Sequence, residues 1–72
     1  MKITKNVIEN MMLTYVDHKK IVNEYQNEYN ENELYEDGNY NFHLGCCETA
    51  ENWMRAIGVS PQCDFIIDRL ND

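Results

Sequence analysis

Basic residues, glycine and proline are all scarce in this chain of 72 residues, and each shortage narrows what it can be. Six Lys and Arg stand against thirteen Asp and Glu, a net charge of −7, which repels nucleic acid and anionic membrane and favours a basic partner. No stretch approaches the roughly 20 consecutive apolar residues that a membrane span requires. The opening Met1 to Glu9 is charged throughout and has no apolar segment of the kind a secretory leader carries. Three cysteines are an odd number, and the adjacent Cys46 and Cys47 do not readily bridge each other. These absences imply a reduced, cytoplasmic protein without a membrane partner or a disulfide framework.

Chemistry is equally thin. Three widely separated glycines cradle no phosphate, and no nucleophile elbow or metalloprotease helix is present. The acidic run Glu31, Glu33, Glu36, Asp37 lacks the glycine and glutamate positions of a calcium loop. His43, Cys46, Cys47 and Cys63 are the one conceivable zinc set, but no Cys-x-x-Cys pair exists and buried structural cysteine is commoner. The expectation is a protein with no metal, no cofactor and no catalysis.

What is present is helical pattern. At 100° per residue, Ile3, Val7, Ile8, Met11, Tyr15, Ile21, Val22, Tyr25 and Tyr29 share one arc, with Lys2, Lys5, Glu9, Asp17, Lys20 and Glu24 opposite. No glycine or proline interrupts residues 3–29, so the pattern predicts a long amphipathic helix capped near Thr4. Within it Ile8, Met11, Tyr15, His18, Val22, Tyr25 and Tyr29 step by three and four, a seam suited to self-association. Such a helix spans about 40 Å, while a compact 72-residue globule measures roughly 30 Å across. A homodimer would absorb the overhang.

Residues 30–45 break that pattern. Asp37-Gly38 is a tight-turn pair, and Tyr40, Phe42 and Leu44 alternate with Asn39, Asn41 and His43, which predicts an acidic loop or a short β-hairpin. From Cys46 the helical period returns: Cys46, Cys47, Ala50, Trp53, Met54 and Ile57 share a face, with Trp53 expected in the core. Gly58 ends that helix, and Ser60-Pro61 starts another with Cys63, Ile66, Ile67 and Leu70 inward. The fold class is therefore mainly α, one domain: a long helix, a central loop or hairpin, and a helical hairpin over 46–70.

The stretch from Met54 to Cys63 resembles the middle of a helix-turn-helix, with Gly58-Val59-Ser60 as its turn. It departs from that motif at Met54, where a small residue belongs, and at Asp64, where an apolar one does. Its reading helix would offer Asp64, Asp68 and Asp72 against the single Arg69, so phosphates would be repelled and direct nucleic-acid binding is not expected.

Surfaces remain. Glu31, Glu33, Tyr35, Glu36, Asp37 and Tyr40 put aromatic rings among carboxylates, a combination suited to a basic groove on another protein. The leading expectation is a small acidic regulator or inhibitor docking on a nucleic-acid-binding face of a host protein, its spaced carboxylates standing in for phosphates. Ten asparagines with many Ile, Lys and Tyr suggest AT-rich coding, hence a phage or mobile element of a low-GC bacterium. The rival readings are a helix-turn-helix transcriptional dimer using Lys2, Lys5, Lys19 and Lys20, and a structural self-assembling subunit.

Overall fold

The structure, a computed structural model, describes residues 4–72; Lys2 and Ile3, placed on the first helix by periodicity, lie outside the described residues. Helix α1 runs Lys5–Glu28, opened by Thr4, whose side chain accepts a hydrogen bond from the Val7 amide at 3.3 Å. Its inward stripe buries Met12, Tyr15, Val16 and Val22. Tyr29 turns extended and ends the helix.

Immediately after it, Asn30 and Glu33 form a reciprocal capping box that starts a short helix α2, Glu31–Glu36. Leu34 buries this helix against the rest of the chain. Asp37 is at once the C-cap of α2 and the N-cap of α3, Gly38–Ala56, accepting from the Tyr40 amide at 2.9 Å. Residues 30–45 are thus helical, and the expected loop or hairpin is corrected: among the described residues there is no strand. Asp37-Gly38 uses the same short acceptor side chain, but to cap a helix and not to close a hairpin.

α3 runs antiparallel to α1. Tyr15 meets Glu51, His18 meets His43 and Gln26 meets Tyr40, so one numbering falls as the other rises. α3 ends in a Schellman turn: Gly58 takes a φ of +83°, Val59 N–H donates to Met54 C=O and Gly58 N–H to Arg55 C=O. Ser60 to Cys63 form a turn, and α4 spans Asp64–Leu70, starting three residues later than Ser60-Pro61 suggests. Its helix contacts are with α1, so α3 and α4 flank α1 and do not pair as a helical hairpin.

The molecule measures 41 × 26 × 15 Å, with a radius of gyration of 13.2 Å. It is longer and flatter than the compact sphere of equal length, about 11 Å. The length of α1 is matched by an elongated chain, with α3 packed against it. Among the described residues nine side chains are buried in the core: Met12, Tyr15, Val16, Val22, Leu34, Tyr40, Cys47, Met54 and Ile66. So few leave much apolar surface uncovered, which directs attention outward.

Candidate functional site

Two surfaces stand out, an acidic edge and an uncharged groove. The edge is α2. Its first turn carries Glu31 and Glu33, stabilised at the positive end of a helix. Glu33 and Asp37 are occupied by capping, whereas Glu31 and Glu36 have no cationic partner among the described residues, where the ion pairs are Lys5–Glu9 and Glu51–Arg55. Tyr35 projects between them with 73% of its surface exposed. Of the six residues expected to form a partner surface, Glu31, Glu33, Tyr35 and Glu36 belong to this helix and Asp37 caps it. Tyr40, on α3, is buried, its ring 5.9 Å from that of Tyr25 and its hydroxyl accepting from Gln26 Nε2 at 3.1 Å, yet it borders one recess with Glu31 and Tyr35.

The seam expected to serve self-association is divided by the fold. Tyr15 and Val22 are buried within the chain, and Ile8 and Tyr25 pack against the same core. Tyr15 donates its hydroxyl hydrogen to Glu51 Oε1 at 2.8 Å, and burial, reinforced by that carboxylate, pushes its phenol well above the usual tyrosine range. Tyr29 is 43% exposed, its ring 5.7 Å from that of Tyr25. Met11 packs against the core and also borders the groove, and His18 lines the groove.

That groove, about 610 Å³, is open along one side and lies between α1 and α3. Met11, Thr14 and His18 form its α1 wall; Phe42, Gly45, Cys46, Thr49 and Trp53 belong to α3. Among the described residues no Asp, Glu, Lys or Arg lines it, in a chain where 26% of residues are charged. Phe42 and Trp53 stand out at 62% and 48% exposure, so Trp53 is a surface residue and not the core anchor expected from its helix face. At one end His18 Nδ1 and His43 Nδ1 lie 2.8 Å apart, one ring donating and the other accepting, with Phe42 edge-on to both.

The cysteines do not converge. Cys47 is buried, and burial raises its thiol above the ordinary range, with nearby Lys19 opposing. Cys46 borders the groove, and Cys63 lies 4.0 Å from the Met12 sulfur. Among the described residues no three His, Cys, Asp or Glu side chains are grouped to hold a metal ion, and no helix is long and apolar enough to cross a membrane.

The groove escapes a search for single motifs; the spacing Phe42, Cys46, Thr49, Trp53 is a sign of its α3 wall alone. Comparison of the chain with protein-family models, with curated proteins and with solved structures finds no match. What the molecule does must therefore be argued from these two surfaces.

Proposed function

We propose that this chain is a small acidic, non-catalytic protein-binding regulator that docks its α2 edge on a basic, nucleic-acid-binding surface of another protein. The observation that carries this reading is the pairing of unneutralised Glu31 and Glu36 with the outward ring of Tyr35, on a helix held in place by Leu34. An exposed tyrosine supplies contact area with few rotors, and the flanking carboxylates supply steering toward positive charge. The three free thiols suit a reducing cytoplasm, and the phage or mobile-element origin suggested by composition suits an inhibitor of a host enzyme.

The rival DNA-binding reading draws no support from α4. Its one cation, Arg69, lies 3.5 Å over the Phe65 ring and donates to the Phe65 carbonyl, leaving Asp64 and Asp68 outward. The test is a nuclease-treated pull-down from a low-GC bacterial lysate at low and high salt. A nucleic-acid-binding protein retained at low salt, released at high salt and lost with Glu31→Gln/Tyr35→Ala/Glu36→Gln is the expected result. Retention indifferent to both salt and the triple variant overturns the reading.

A further inference from the structure

α3 carries two apolar stripes. Tyr40, Leu44, Cys47 and Met54 face the core. Phe42, Cys46, Thr49, Trp53 and Ala56, stepping four, three, four and three, lie roughly 150° further round the helix. That second spacing is the one two packed helices share along their contact, and nothing among the described residues covers it.

We propose that a second copy of this chain covers it, in a twofold dimer whose α3 helices pack antiparallel across the two grooves. Three observations favour a copy over another occupant. Among the described residues the lining carries no Asp, Glu, Lys or Arg, so it is where two chains of charge −7 approach with least repulsion, and where a basic partner would form no ion pair. The face also sets projecting Phe42 and Trp53 beside open space at Gly45, where an added Cβ would meet nothing within 4 Å, so a twofold copy has room to approach there. Finally, Phe42 with Trp53, and Cys46 with Thr49, share a common midpoint in α3. An antiparallel pair therefore sets Phe42 of each copy against Trp53 of the other, an offset aromatic contact repeated twice.

The arrangement extends over about three helical turns, roughly 16 Å. The exposed parts of the four rings supply on the order of 450 Å². Stable interfaces bury about 1,200 Å² or more. The groove walls must supply the remainder, so the dimer is a weak one, with a dissociation constant of about micromolar order. This inference concerns a different face from the acidic edge and stands or falls without it. The two also respond oppositely to salt: screening strengthens association of like-charged copies and weakens docking on a basic partner.

Sedimentation velocity from about 1 to 300 µM brackets such a constant, and Trp53, the sole tryptophan, reports burial through a blue shift of its emission. The expected result is a mass and an emission shift that rise together with concentration, at lower concentration as salt is added. Phe42→Asp, at an exposed ring, and Gly45→Leu, into open space, should raise the dissociation constant at least tenfold while helical circular dichroism is kept. In Thr49→Cys, mild oxidation should join the introduced thiol to Cys46 of the partner subunit, identified by peptide mass. A wild-type chain monomeric to the top of that range overturns the proposal, as does a dimer indifferent to Phe42→Asp and Gly45→Leu. A disulfide between the two copies of Cys46, in place of that mixed product, overturns the antiparallel register.

Discussion

The two sides of α3 use similar residues to opposite effect. Toward α1, Cys47 and Met54 are closed off at 2% and 0% exposure, while one residue before each, Cys46 borders an open groove and Trp53 stands half in water. A helix in a chain this size has one face that its own fold can cover, since nine residues are buried among the described ones. Apolar side chains on a second face are not spare core. On the proposal above, they are the part of the sequence that meets a second copy.

That contrast can be broken most sharply from the inside. Met54→Ala empties a fully buried site and should cost about 2–5 kcal/mol in a urea melt, a large share of the roughly 4–11 kcal/mol expected for a domain of this length. Next in size is Asp37→Ala, which removes the side chain capping α3 and should cost about 1 kcal/mol by the same melt.

Alkali probes the inner face differently. The Tyr15 phenol is held above its ordinary range by burial, so the folded chain keeps a proton that the unfolded chain loses as pH rises past about 10. The contribution is complete below that point and lost above it, at a slope of up to about 1.4 kcal/mol per pH unit. Tyr15→Phe should flatten that slope in melts taken between about pH 9 and 11, a range set around the ordinary phenol value of about 10.

Adjacent thiols give a finer comparison. Cys47, buried and raised, should react with iodoacetamide at least tenfold more slowly than Cys46 in the folded chain, as peptide mapping would measure. Equal rates would mean that α3 opens as readily on its inner face as on its outer one. The smallest effect should come from the outer face itself: Phe42→Ser, studied at concentrations where the chain is a monomer, should change stability by no more than about 0.5 kcal/mol.

The same two faces explain how far the sequence could be read. α1 was legible because one unbroken stripe with polar residues opposite leaves a single period to detect, and Gly58 was legible because only a left-handed position asks for glycine there. Tyr40, Phe42 and Leu44 read as a strand for a physical reason. Tyr40 and Leu44 belong to the inner stripe and Phe42 to the outer, so two helical periods superposed over five residues imitate alternation. The capping box Asn30-x-x-Glu33 was available as a sign of α2, but a six-residue helix has too little length for a period. Of the candidate surfaces, the acidic edge was legible because charge is local in sequence. The groove was not, because its walls come from residues about thirty positions apart that only the packing of α1 on α3 brings together.

Asp37 closes one helix and opens the next, so no slack separates α2 from α3. A stiff joint of this kind behaves as a lever: a load placed on Tyr35 passes through a single peptide unit into the first turn of α3. Occupation of the acidic edge should therefore slow amide exchange at Tyr40 and Asn41, whose N–H groups bond to Asp37, before it is felt anywhere else in the chain.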